Sequence, residues 1–393
     1  MSIDFDQVIE RRGTDCIKYD AAVARGKPEG LLPFWVADMD FKAPDPVLAA
    51  LRRRVDQGIF GYSDPEPARY FAPLQKWYQS HHDWTPEQNW LVKTPGVVFA
   101  LATAVKAFTK PGDSVLIQQP VYYPFSAVII NNGRRLVNSP LVLQDGVYHI
   151  DFADFEKKIV ENQVKLFILC SPHNPVGRVW SAAELRRLGD ICLQHQVLVV
   201  ADEIHDDFVW PGFKHTVYAS LGEKYARQAV VCTAPSKTFN LAGLQVSNIF
   251  IPDPDLRQKF ADEITRVGYS QLNTLGLVAC EAAYRDGEAW LTALKAYLLE
   301  NLNFTRRFLQ ENLPRIKLIE PQGTYLLWLD FRALGLDEAQ REALLLQKAK
   351  VWLDSGAMFG KDGDGFERWN ITCPRVTLKQ GLQALAAAVH KLP

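Results

Sequence analysis

The sequence predicts an α/β fold in which a mainly parallel sheet is covered by helices on both faces, with a smaller α+β layer built from the end of the chain. Three observations predict it. Short apolar runs recur at Ser114–Ile117, Val164–Cys170, Val197–Ala201 and Ala229–Cys232, and strands buried on both faces read as continuous rather than alternating apolar stretches. Helical-period segments separate several of these runs, the rhythm of strand–helix–strand units. Beyond about Tyr284 that rhythm gives way to a long helical stretch and a few isolated strand-like runs. At 393 residues the chain is long enough for about two domains, expected as a large domain over residues 46–285 and a small one made of 1–45 together with 286–393.

Taken in order, the chain is mixed and polar to about Pro33, and then Phe34–Phe41 brings a dense apolar and acidic cluster. Asp45-Pro46 opens an amphipathic helix over Val47–Val55, since proline suits a first helical position. Phe60-Gly61-Tyr62-Ser63-Asp64-Pro65 reads as an exposed loop. Thr94-Pro95-Gly96 leads into a helix whose apolar face is Val97, Leu101, Ala104, Val105 and Phe108, stopped by Pro111-Gly112. Gly96 lets backbone amides approach a ligand there, so this helix start is a candidate phosphate seat.

The strand Ser114–Ile117 runs towards Pro120-Val121-Tyr122-Tyr123-Pro124, which sets aromatics beyond its carboxyl end. Val164–Cys170 ends in the irregular turn Ser171–Gly177, and Ser181-Ala182-Ala183-Glu184 has the spacing of a capping box. Val197–Ala201 ends in Asp202-Glu203-Ile204-His205, and Ala229–Cys232 leads to Thr233–Gln245, which contains Lys237. Tyr122, Asn174, Asp202 and Lys237 thus follow four separate strands, and ligands of open α/β sheets collect outside the strands' carboxyl ends. The remaining expectations are a helix from Ala289 to about Asn312, a strand-like run Lys317–Glu320, a strand Thr324–Phe331, a helix Glu338–Lys350, a strand Arg368–Thr372 and a last helix from about Thr377 to His390.

Composition narrows the partners. A formal net charge of −1 without a dense Lys/Arg block gives no electrostatic footprint for nucleic acid or an anionic membrane. The N-terminus has no apolar signal core and no stretch is long enough to cross a bilayer, so a cytoplasmic protein is expected. The six cysteines, Cys16, Cys170, Cys192, Cys232, Cys280 and Cys373, form no C-x-x-C pair and read as small buried hydrophobes. No metal site is expected.

Five ordered motifs carry a family resemblance: Trp35-Val36-Ala37-Asp38-Met39-Asp40, Asn174-Pro175-x-Gly177, Asp202-Glu203-Ile204-His205, Ser236-Lys237-Thr238-Phe239-Asn240, and Arg368-x-Asn370 with Pro374-Arg375. Together they resemble the fold-type-I pyridoxal-phosphate enzymes of the class I/II aminotransferase superfamily, and within it the MalY/PatB type of cystathionine β-lyases, or C-S lyases. The resemblance spans nearly the whole chain. It implies a seven-stranded, mainly parallel sheet and pyridoxal 5'-phosphate as cofactor.

It also implies roles. Lys237 holds the cofactor aldehyde as a Schiff base and later takes the Cα proton; Asp202 faces the pyridine nitrogen as an ionised carboxylate; Asn174 hydrogen-bonds the phenolic oxygen. Tyr122 stacks on the ring, with Tyr123 a rival for that place. Gly96, Val97 and Val98 with Ser236 hold the phosphate, and Arg375 grips the substrate α-carboxylate with its planar fork. Tyr62 resembles the tyrosine that reaches the neighbouring subunit's site, which implies a homodimer. Gln245 stands where many aminotransferases of the superfamily carry a phosphate-pairing arginine, and His205 where they carry tyrosine. Both departures fit the C-S lyase branch, while His205, placed among the cofactor residues, has either a catalytic role or only satisfied polar neighbours.

The reaction so implied is α,β-elimination on a cysteine thioether such as cystathionine, giving a thiol (homocysteine), pyruvate and ammonia. The alternatives are an aminotransferase on the same scaffold and, in another class, a pyridoxal-phosphate-binding regulator. The stretch before Phe34 is too short and too little basic for a DNA-binding module.

Overall fold

The computed structural model describes residues 3–392. Seven strands form the large sheet: β1 (Leu91–Thr94), β2 (Ser114–Ile117), β3 (Arg135–Asn138), β4 (Leu166–Cys170), β5 (Leu198–Asp202), β6 (Ala229–Thr233) and β7 (Ser247–Phe250), in the order β1-β7-β6-β5-β4-β2-β3. Six run parallel and β7 alone is antiparallel to its neighbours β1 and β6. The sheet is buried on both faces, as its apolar strands require: Leu198 and Val200 of β5 enter one core and Val199 and Ala201 the other, the two-residue period of a strand.

Helices cover the sheet. Those that position the site are α1 (Asp45–Asp56), α2 (Pro67–His82), α3 (Val97–Phe108), α4 (Ala182–Gln194), the single turn α5 (Pro235–Thr238), α6 (Thr274–Asp286), α7 (Glu288–Asn312) and α8 (Arg375–Val389). The expected capping box is present: the Ser181 side chain accepts from the Glu184 N–H, and Glu184 reaches back to the Ser181 backbone. Two of the four unpaired amides at the start of α4 are answered in this way.

The end of the chain carries more strand than its sequence suggests. β8 (Lys317–Ile319), β9 (Leu326–Asp330), β10 (Asp354–Ser355) and β11 (Phe366–Asn370) form a second, antiparallel sheet in the order β8-β9-β11-β10. Leu32–Pro33 pairs in parallel with Val351–Trp352, so N-terminal chain joins this half. Three expectations are corrected here. The last strand lies two residues earlier than Arg368–Thr372, the last helix begins at Arg375 rather than Thr377, and the expected helix Glu338–Lys350 is α-helical only over Glu338–Ala343 before a wider π-type turn at Leu344–Ala349. No described helix is long and apolar enough to cross a membrane. All six cysteines are free, and all but Cys16 are buried.

Candidate active site

Tyr122, Asn174, Asp202 and Lys237, reached from β2, β4, β5 and β6, line one cavity of about 280 Å³ at the carboxyl end of the sheet. The loops are tied to one another: the Tyr122 N–H donates to the Asn174 carbonyl at 3.0 Å. Tyr122 faces the cavity, whereas its rival Tyr123 packs edge-on against Phe359, ring centroids 5.9 Å apart.

Lys237 sits in α5, whose first residue, Pro235, ends the β6 ladder. Its ammonium donates to the Ala37 carbonyl at 2.7 Å, and Tyr325 donates to the same oxygen at 3.2 Å. Burial, and then the Arg368 charge, push the Lys237 pKa down to about 8 against the pull of Asp38 and Asp202. The next residue is braced from behind, since the Thr238 hydroxyl donates to Asp207 at 2.7 Å. Asp207 also meets His82 at 3.1 Å and the Trp77 indole N–H at 3.0 Å. His82, Asp206 and Asp207 are the residue types of a metal site, but these bonds already occupy Asp207 and brace the turn that carries the lysine.

Asp202, 4% exposed, accepts, among the described residues, only the Ile204 N–H at 3.2 Å. Burial raises its pKa to about 7, opposed by that N–H and by Lys237. His205 also lines the cavity, its ring edge-on to Tyr325. Its Nδ1 is buried with no partner, and burial, Lys237 and Arg368 hold the imidazole neutral, its pKa well below the usual value. Among the described residues, no polar neighbour satisfies that nitrogen.

At the far wall Gly96 adopts φ +114°, a conformation that L side chains rarely take, although a Cβ there would meet no atom within 4 Å. It turns the chain into α3, which has no side-chain cap. Val97, Val98 and Phe99 supply the first helical amides and line the cavity beside Ser236 and Gln245. Uncapped amides at a helix start, with the helix dipole behind them, seat an anion.

Two sequence expectations fall outside this cavity. Arg375, at the first position of α8, donates through Nε to Asn301 at 2.6 Å and lies over the Phe304 ring at 5.0 Å, so its Nε is engaged away from the cavity. Tyr62 is 96% exposed in its loop and does not reach the cavity of its own chain. The arginine bonded to the site is Arg368, 2% exposed. It donates to the Asn174 side chain at 3.1 Å and the Trp35 carbonyl at 2.7 Å, and pairs with Asp354. Arg368-x-Asn370 carries the signal that would have found it, because in β11 both residues are buried and Asn370 donates to the Val36 and Asp38 carbonyls on either side of Ala37.

The donor set fits pyridoxal phosphate. An uncapped helix start and a serine suit the phosphate, a buried carboxylate with one partner suits a ring N–H, an amine of lowered pKa suits an aldehyde, and Tyr122 offers an aromatic face. Comparisons with known proteins agree. The family model for aminotransferase class I and II matches residues 31–385. The chain is 46% identical over 387 residues to cystathionine β-lyase PatB of Bacillus subtilis strain 168, covering 98% of this chain and 100% of that one. Among solved structures it resembles cystalysin of Treponema denticola, which contains pyridoxal 5'-phosphate, with TM-score 0.96, 38% identity and full coverage of both chains (100% each). It also resembles the PLP-bound C-S lyase of Staphylococcus hominis, with TM-score 0.93 and 35% identity, covering 99% of this chain and 98% of that one.

Proposed function

Because the chain belongs to the aminotransferase class I and II family, in its cystathionine β-lyase branch, we propose that it is a pyridoxal-phosphate-dependent carbon–sulfur lyase acting on cysteine thioethers. A thioether amino acid and water would yield a thiol, pyruvate and ammonia. The observation that carries the reading is Lys237, an amine of lowered pKa in one cavity with the single-partnered carboxylate of Asp202 and the open start of α3.

When bound, the cofactor supplies an aldehyde for the substrate amine and a ring that accepts the electron pair left at Cα. The chain's residues do the rest. With its pKa near 8, Lys237 carries an appreciable neutral fraction at neutral pH, which lets it take the Cα proton. Asp202 receives the ring N–H, and a cation there restores the ionised form that burial disfavours. Val97, Val98 and Ser236 hold the phosphate, and Asn174 hydrogen-bonds the phenolic oxygen. Arg368, anchored through Asn174, Asp354 and the Trp35 carbonyl, takes the α-carboxylate in the place expected of Arg375.

Tyr62, fully exposed on one chain, is proposed to complete the cavity of a second copy in a homodimer. Full activity of a monomer at high dilution would remove that part.

The test is to offer purified holoenzyme cystathionine with no keto acid. Thiol and pyruvate are expected, with release at least about a hundredfold lower in Lys237→Ala and loss of the visible cofactor band. Amino-group exchange with an added keto acid and no thiol would instead make the protein an aminotransferase.

A further inference from the structure

A second cavity, about 410 Å³, is tied to the first through one buried arginine. Arg368 spans the two: it bonds Asn174 of the first cavity, and it also bonds Asp354 and the carbonyl of Trp35, both residues of the second. Trp35 lies two residues from Ala37, the carbonyl partner of Lys237, so one short stretch of chain walls both spaces. The second wall is aromatic, with Trp35 and Trp352 stacked at 4.2 Å and 17°.

The charges around it are mostly spoken for. Lys27 pairs with Glu342, Asp354 with Arg368, and Glu367 with Arg341 at 2.8 Å. Arg25 is the exception among its cations. Its guanidinium lies 4.8 Å over the Trp35 ring and, among the described residues, makes no side-chain hydrogen bond or ion pair. Held over an aromatic face, it offers an open fork to an anion in this cavity. Glu338 is the other charge without an ion pair and accepts only a long bond from Ser355, at 3.4 Å.

We propose that this second cavity is the subsite for the sulfur substituent, and that Arg25 selects cysteine thioethers whose substituent ends in a carboxylate. The inference rests on the lyase reading and adds the substrate class to it. An ammonium on the same substituent is accommodated beside Glu338 but is not required.

The test compares two isosteric substrates with the holoenzyme, S-(2-carboxyethyl)-L-cysteine and its amide S-(2-carbamoylethyl)-L-cysteine. One charge-assisted bond at an exposed rim gives about a tenfold preference in kcat/KM for the acid. Arg25→Met, which keeps the packing on Trp35, is expected to abolish the preference through KM alone, with kcat and the amide reaction unchanged, and Arg25→Lys to keep part of it. No preference in the wild type, a preference that survives Arg25→Met, or equal losses on both substrates would each overturn the proposal. If neither compound releases thiol while cystathionine does, the subsite proposal falls, and only if cystathionine fails as well does the lyase reading fall. A tryptophan-fluorescence titration of holoenzyme and Arg25→Met with the same pair still decides the subsite, because Trp35 and Trp352 line it: tighter binding of the acid by the wild type alone supports it, and equal binding refutes it.

Discussion

Two clusters of buried charge meet along the strip Trp35–Phe41, and their carboxylates Asp38 and Asp202 shift in opposite directions although burial pushes both upward. In the first, Lys18 and Asp40, 2% and 4% exposed, pair at 3.1 Å. Arg11 reaches Asp40 and Asp38 at 2.6 Å each, and the Tyr19 hydroxyl donates to Asp40 at 3.0 Å. Burial alone would raise the Asp38 pKa, but the Arg11 hydrogen bond and the Lys18 and Arg11 charges outweigh it and hold it below the usual range. In the second, Lys237 has one carbonyl, Asp202 one N–H, and His205 Nδ1 nothing. There desolvation wins, and Asp202 rises to about 7 while Lys237 falls to about 8. Asp40 and Asp202 are equally buried, but Asp40 has three side-chain partners, Arg11, Lys18 and Tyr19, where Asp202 has one backbone N–H. A closed set of ion pairs is scaffold, and under-partnered charges in a cavity are what a ligand's own charges complete.

The largest effect should come from opening the closed set. Asp40→Asn leaves the Lys18 ammonium buried with its nearest carboxylate gone, and removing one member of a buried pair costs about 3–5 kcal/mol. The denaturation midpoint of the holoenzyme should fall accordingly, while the folded fraction keeps its visible cofactor band. An unchanged midpoint would show that the strip is held instead by the bonds its carbonyls accept from the Asn370 and Asn240 side chains.

A smaller effect with a distinctive sign is expected at the other cluster. In the cofactor-free chain the folded pKa of Asp202, about 7, lies above the unfolded value of about 3.9. Its contribution to stability is therefore fully present below about pH 4 and is lost as pH rises through about 7, by up to about 4 kcal/mol. Asp202→Asn removes that slope, so the cofactor-free variant should gain on the wild type between pH 4 and pH 8 in urea denaturation. Asp38 has the opposite sign, because its folded pKa is depressed: its contribution is present above the unfolded value and is lost as pH falls through the folded one. A difference between wild type and Asp202→Asn that stays flat with pH would remove the contrast between the clusters.

Much of this was legible in the sequence, and the misses have physical causes. The β-branched runs of β2, β4, β5 and β6 announce buried parallel strands, and the residues that follow them share the cavity. β7, Ser-Asn-Ile-Phe, is half polar and escapes that test, yet the Tyr70 hydroxyl donates to the Asn248 side-chain oxygen and the Thr233 hydroxyl to its backbone oxygen, so the strand is interior all the same. A planar fork beside Asn370 and Pro374 marks Arg375 in the sequence, but that pattern does not show that its Nε is held by Asn301 at the start of the last helix while Arg368, one strand earlier, bonds Asn174 of the cavity. The Ala37 carbonyl that receives Lys237 is a backbone atom 200 residues away, and no side-chain pattern can announce a backbone acceptor.

His205 gives the smallest effect and the finest test of the partner rule. Its Nδ1 is buried without a partner, and an unsatisfied buried polar atom costs about 1–3 kcal/mol. His205→Phe removes that atom and keeps an aromatic edge against Tyr325, now 5.5 Å between ring centroids, with the cavity taking the extra volume. The cofactor-free variant should therefore be more stable by about 1 kcal/mol, read as a higher urea midpoint at unchanged slope. The holoenzyme should not share the gain if bound cofactor supplies the missing partner, so the ratio of the two midpoint shifts reports whether Nδ1 faces the ligand. A cofactor-free variant that loses stability would mean that Nδ1 already has a partner, and His205 would then belong with Lys18 and Asp40 among the closed set.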